Sequence, residues 1–510
     1  MDKSQANNKR IAKNTLFLYI RMLVIMIISL YTSRIVLGSL GITDYGLYNV
    51  VGGVVTMFSF INAAMASSTQ RYLTYSLAEG NPLLLQKIFN TSLIIHVGIS
   101  FFILLLCETI GVWFLYHKLI IPINRFNAAF WVFQLSIIST IFIIMSAPYN
   151  ATIIAHEKMS AFAYISIVEV FLKLIIAFLL YIGPFDRLIL YALLILIVQI
   201  IIQGAYYIYC NRQFPEVKFL IVKDKTLFKE MLSFASWNLW GQSAAVAFTQ
   251  GINILLNIFF GPSVNAARAI ATQVQGAVTQ FSYNFQTAMN PQIIKSYANN
   301  DWGYMHGLIY RSSKLSFFLL LLLSLPILLN TDFILKLWLK QYPSYTVDFV
   351  RIILCVSMID GVANSLMTSA MATGNIKRYQ GIVGGVLLAI LPISYIVLKL
   401  GGGPVSVFIV HFCICIIAFI VRLLILAPMV RLSIKGYTHY VIFRCLIVTL
   451  IAPIVPAFLL SQLHTGLITF IITTIVSIVS VCLSAYYFGL QKNERLFVRT
   501  SIINFYNRFV

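Results

Sequence analysis

The side chains with the clearest spacing lie between positions 265 and 286. Asn265, Arg268, Thr272, Gln275, Thr279, Ser282 and Gln286 follow one another at alternating intervals of three and four, which gathers them on one face of an α-helix. Gln273 and Gln280 widen that polar side, while Val274, Val278, Phe281 and Phe285 form an apolar stripe opposite. Similar polar patterns occur at Gln242, Thr249, Gln250, Asn253 and Asn257, and at Ser357, Asp360, Asn364 and Thr368. Rows of amides and hydroxyls in apolar surroundings can line a wet cavity that receives a polar solute, or can hydrogen-bond one helix to another. A polar row along nearly a whole helix exceeds what packing needs, so a cavity is expected, with the helix interface as the alternative.

Ionisable groups in apolar stretches add a second kind of chemistry, because each needs a partner or water. Glu169 and Lys173 stand four residues apart; they can neutralise one another or form a charge site on a transport path. Asp360 has no basic residue within one helical turn, so it must be protonated, paired across helices or wet. It is the leading candidate to couple a proton or cation. Arg21, Arg34 and Arg268 can hold an anionic group or snorkel to the membrane surface. Arg21 and Arg34 lie about 20 Å apart along a helix and cannot share one small site. Arg422 and Arg444 are expected to be ordinary interfacial anchors. The cysteines form no CxxC and no Cys/His cluster, so no metal site or cofactor is expected. The absence of a P-loop excludes nucleotide-driven transport by this chain alone. An enzyme acting on lipid-linked sugars would want paired carboxylates at the membrane surface, and no loop offers them.

The elements that must carry these residues follow from composition. Of 510 residues, 60% are hydrophobic and 10% charged, against roughly 25% charged in soluble domains. Apolar runs define about fourteen spans: 14–36, 45–66, 89–115, 130–152, 161–183, 188–210, 233–260, 264–290, 310–330, 350–372, 379–399, 404–428, 441–461 and 466–489. With the N-terminus inside, about 23 of the 36 basic residues fall in cytoplasmic segments and about 6 outside, the positive-inside bias. The net charge of +21 is therefore topological and no sign of nucleic acid. Both termini are expected in the cytoplasm. Residues 211–232 read as an amphipathic interfacial helix linking two halves. Short turns at 41–46 and 261–266 suggest a parallel six-span repeat. The expected organisation is an all-α membrane protein with lobes at 1–210 and 233–428 and two added spans in 429–510. Pro148, Pro291, Pro326, Pro392, Pro453 and Pro456 punctuate helices or their ends and offer bends.

The runs Asn14-Thr15-Leu16-Phe17-Leu18-Tyr19, Ser33-Arg34-Ile35-Val36-Leu37-Gly38 and Leu40-Gly41-Ile42-Thr43-Asp44-Tyr45-Gly46-Leu47-Tyr48 resemble the O-antigen and capsule polysaccharide flippases of the multidrug/oligosaccharidyl-lipid/polysaccharide (MOP) superfamily. The resemblance is clearest over the first 90 residues. It implies two six-helix lobes about a central cavity and an alternating-access cycle in a bacterial inner membrane, run by a functional monomer. The implied substrate is an undecaprenyl-diphosphate-linked oligosaccharide, with a polysaccharide polymerase complex as a possible partner. Amides and hydroxyls at Gln242, Gln250, Asn253, Asn265, Thr272, Gln275, Thr279, Ser282 and Gln286 would meet the sugar. Arg21, Arg34 and Arg268 would meet the diphosphate. A drug or cation exporter of the same superfamily is the second reading, against which a cavity richer in cations than in carboxylates argues.

Overall fold

A computed structural model describes residues 3–56, 59–117, 121–181, 185–220, 224–260, 262–339, 342–463 and 466–496. Helices account for nearly all of them, and no strand occurs among the described residues. In chain order they are α1 (Lys3–Thr56), α2 (Ser59–Glu79), α3 (Pro82–His117), α4 (Ile123–Ala155), α5 (Met159–Leu179), α6 (Arg187–Gln213), α7 (Lys225–Phe260), α8 (Pro262–Ala298), α9 (Trp302–Leu329), α10 (Thr331–Leu339), α11 (Thr346–Ala372), α12 (Lys377–Lys399), α13 (Pro404–Met429), α14 (Ile434–Gln462) and α15 (Leu467–Gly489). Ten of these are long and apolar enough to cross a membrane. The expected spans that fall on α1, α2, α8 and α11 are also helical, and α8 and α11 carry two of the polar rows. The helices divide into two compact units, residues Met1–Ser243 with Ile294–Asn300, and residues Ala244–Ile293 with Asp301–Val510.

Two expected local features take a different form. The outward turn at 41–46 reduces to one residue, Gly41, with φ 78° and ψ 169° inside an otherwise helical run. Only glycine enters that region without a Cβ clash against its own backbone. The bend is pinned from outside the helix. Arg125 Nε donates to Asp44 Oδ1 at 2.8 Å, its Nη1 donates to Asp186 Oδ2 at 2.5 Å, and Arg187 Nη1 donates to the Ser39 carbonyl at 3.0 Å. Burial works against ionisation of Asp186, but hydrogen bonds from Arg125 and from the Ile189 and Leu188 amides hold its carboxyl below the usual range. Gly41→Ala should destabilise the first unit by about 1–3 kcal/mol, the usual cost of a strained backbone position; an unchanged melting temperature in detergent would refute this.

The described part of 211–232 is not a separate interfacial helix. It comprises the end of α6, a 3-10 turn at Pro215–Val217 and the start of α7 at Lys225. Of the apolar side chains that suggested a membrane-facing stripe, Phe219, Leu220, Phe228 and Leu232 are exposed, whereas Leu227 and Met231 are buried in the core of the first unit, which Phe214 and Val217, 4% and 5% exposed, also join. The turn is held by Asn90, whose Nδ2 donates to the Lys218 carbonyl at 3.1 Å and whose Oδ1 accepts from the Leu220 amide at 3.0 Å. His156 Nε2 and Glu216 Oε1 add a hydrogen bond at 2.5 Å.

In the second unit α11 packs on α9 and α13, and α9 also meets α15. The added spans are integral to this unit. Lys314 on α9 is fully buried and pairs with Glu494 beyond α15 at 2.7 Å, and Asn330 Nδ2 donates to Thr473 Oγ1 at 3.1 Å.

Candidate functional site

The polar row on α8 divides according to where each side chain finds a partner. Gln275 Nε2 donates to Ser357 Oγ at 3.0 Å. Gln286 Nε2 donates to Ser316 Oγ at 2.9 Å and to the Gly361 carbonyl at 3.0 Å, while its Oε1 accepts from Asn364. Thr368 Oγ1 donates to Asn290 Oδ1 at 2.9 Å. The rows on α8 and α11 are thus each other's partners across a parallel helix pair, with α9 contributing Ser316. Ser282 is 3% exposed in the same seam, and Thr272 and Thr279 return their hydroxyls to carbonyls of their own helix, Ala269 and Gln275, at 2.9 Å each. Such back-bonding satisfies a hydroxyl without a solvent partner.

The exposed face of α8 is a neighbouring one. It carries Ala269, Gln273, Gly276, Ala277, Gln280 and Tyr283. Two amides, a phenol and small side chains are a poor match for lipid, which exposed helix faces elsewhere in the chain meet with Ile, Leu and Phe; they suit water or a polar solute. Cysteines replacing Gln273, Ala277 and Gln280 should react with water-soluble thiol reagents, and cysteines replacing Val278, Ser282 and Gln286 should not. Equal labelling of the two sets would remove this face from consideration.

Arg268 is 5% exposed. Its Nη1 donates to Asn253 and its Nη2 to the Thr249 carbonyl at 2.9 Å, both on α7. Asn265 lies in the same first turns of α8, half-buried, and Gln242 is half-buried on the part of α7 that belongs to the first unit. In the first unit the Arg21 guanidinium stacks 4.4 Å from the Phe162 ring centroid, a cation–π contact between α1 and α5. Glu169 and Lys173 pair with each other at 2.5 Å along α5, as their spacing allows. The side chains of Arg34, Gln250 and Asn257 lie outside the described residues.

Asp360 finds a partner that its own helix does not supply. Arg422 on α13 brings Nη1 to 3.7 Å from Asp360 Oδ1, the two side chains being 13% and 50% exposed respectively. Arg422 is therefore a packed partner of Asp360. Sequence reasoning missed it because the two residues are 62 positions apart on separate helices. Arg71 is a further buried cation missed in the sequence. It is 8% exposed and stacks 4.6, 5.0 and 5.5 Å from the rings of Tyr72, Tyr75 and Phe234; the signal was an arginine beside Tyr72 and Tyr75 in a helix whose other charged residue is Glu79. No group of three or more His, Cys, Asp or Glu that could hold a metal exists among the described residues.

No family model and no curated protein matches the chain. Solved structures do. A multidrug-resistance MATE family transporter of the MOP superfamily in an outward-facing conformation superposes with a TM-score of 0.73 at 13% identity, over 84% of this chain and 98% of the other. A MOP superfamily transporter from Pyrococcus furiosus gives 0.72 at 13% identity, covering 86% and 99%. The fold is that of the MATE transporters. A MATE protein in a bent conformation gives 0.72 at 14% identity over 86% of this chain. The chain thus shares the fold of these transporters, and ten of its described helices are long and apolar enough to cross a membrane.

Proposed function

We propose that the chain moves an undecaprenyl-diphosphate-linked oligosaccharide from the inner to the outer leaflet of a bacterial inner membrane by alternating access. The observation that carries this reading is the exposed α8 face, on which amides, a phenol and small side chains stand without a carboxylate. A sugar head offers many hydroxyls, each needing a neutral donor or acceptor. A lipophilic drug cation would instead require acidic groups. The α8 helix contains no Asp or Glu at all, and its charged residues are Arg268 and Lys295. We assign the charge that a diphosphate requires to Arg268, Arg21 and Arg34, of which Arg21 and Arg34 are too far apart along α1 to act at one position. The resemblance of the first 90 residues to polysaccharide flippases points the same way.

Under this reading Asp360 carries the coupling ion and Glu169–Lys173 remains an internal ion pair. The protein acts as a monomer with both termini in the cytoplasm, its lobes follow 1–210 and 233–428, and a polysaccharide polymerase complex receives the product. A multidrug or cation antiporter is the second reading. Its specific support is the half-exposed Asp360 carboxylate. Deleting the gene separates the two: a flippase leaves lipid-linked oligosaccharide accumulated on the cytoplasmic leaflet, whereas an antiporter leaves it transported and changes drug sensitivity.

A further inference from the structure

The chain crosses between its two units at three points: 243/244 within α7, 293/294 within α8, and 300/301 in the turn after α8. Of the two crossings inside helices, the one in α8 lies beside a proline. Pro291 lies inside this helix, two residues before the crossing. Proline has no N–H to give the carbonyl one turn earlier, and its ring presses on that turn, so the helix can bend there.

The residues on either side of Pro291 are fastened to different partners. Before it, Gln286 and Asn290 are hydrogen-bonded to Gly361, Asn364 and Thr368 of α11, all in the second unit. After it, Lys295 Nζ donates to Glu157 Oε1 at 2.7 Å and the Tyr297 ring lies 6.5 Å from that of Tyr75, all in the first unit. Glu157 is built to hold on. Its side chain is fully buried in the α4–α5 turn, at a backbone φ of 59°, and its other oxygen accepts from Arg10 Nε of α1 at 2.7 Å. One carboxylate therefore secures the start of α1 and the end of α8, and removing a partner from such a buried cluster is strongly unfavourable. A helix fixed at both ends to separate bodies, with a proline between the fixings, has its weak point at the proline.

We propose that α8 is a two-part helix that bends at Pro291 during the transport cycle, while Glu157 keeps residues 294–300 fixed in the first unit. The proposal rests on the alternating-access part of the reading above and not on the identity of the cargo.

The test needs no substrate, so its failure is distinct from failure of the flippase assignment. Spin labels are placed at position 83, exposed at the start of α3, and at either 283 or 299, exposed on the two sides of Pro291. The background replaces the accessible cysteines Cys355, Cys413 and Cys482 with serine, and distances are read in lipid nanodiscs. The 83–299 pair should give one narrow distance distribution and the 83–283 pair two populations. Pro291→Ala, which restores a helical N–H and favours a straight, stably folded helix, should remove the second 83–283 population and leave 83–299 unchanged. Glu157→Gln should broaden 83–299. Equal distributions for both pairs in the parent protein would overturn the proposal, as would retention of two 83–283 populations in Pro291→Ala. A Glu157→Gln protein with an unbroadened 83–299 pair would remove Glu157 from the fixing role.

Discussion

Arg268→Ala should lower the rate of oligosaccharide flipping by at least about tenfold in inverted vesicles, the scale of one lost charge-assisted contact. Arg268→Lys should keep an intermediate rate, because charge survives while the planar fork is lost. The structure adds a necessary control. A guanidinium has five N–H donors, and two of its nitrogens already serve Asn253 and the Thr249 carbonyl on α7. Arg268 could therefore act by bracing α7 against α8 and never touch the substrate. Asn253→Ala separates these roles, since it removes the side-chain brace and leaves the cation. If Arg268 meets the diphosphate, Asn253→Ala loses only a few-fold, as expected for one hydrogen bond of about 1–2 kcal/mol whose donor keeps another acceptor. If the alanine variants at 253 and 268 lose equal activity, with both proteins at normal membrane levels, the brace is the whole function of this arginine.

The comparison of α8 with its sequence pattern shows where periodicity stops being informative. The row from Asn265 to Gln286 was legible as one helical face, and so was the row on α11. Spacing fixes which side chains share a face, but it does not reveal what lies across from them. A polar face in an apolar helix is equally satisfied by water and by a second polar face, and here Gln275, Gln286 and Asn290 meet Ser357, Asn364 and Thr368 in the same order. Two complementary rows in one sequence were a visible hint that they pair. The helices themselves were legible because span length and loop charge are local or additive properties. The break at Gly41 was legible as a glycine-bearing turn. Its reduction to one residue depends on Arg125 and Arg187, whose reach to Asp44 and Ser39 no local pattern records. The burial of Phe214 and Val217 was hidden for the same reason, since an apolar residue in a basic loop suits a membrane surface and a core equally well.

Asp360→Asn should abolish the dependence of transport on the ion gradient while lipid-linked substrate still binds, because an amide keeps the shape of the carboxyl group but cannot cycle its charge. The geometry fits a group that must exchange its ion. At 3.7 Å the Arg422 guanidinium neutralises the carboxylate without the short contact of a hydrogen bond, and half of the Asp360 side chain stays exposed. Arg422 is the more buried partner, at 13% exposure, so removing the aspartate leaves a cation facing an amide. Breaking a fully buried pair costs about 3–5 kcal/mol, and the half-exposed aspartate places this pair below that range. Some loss of folded protein should therefore accompany Asp360→Asn, and Arg422→Gln in the same chain should restore it. The double variant then reads coupling alone. If it transports with undiminished dependence on the gradient, Asp360 serves only to neutralise Arg422, and the coupling ion binds elsewhere.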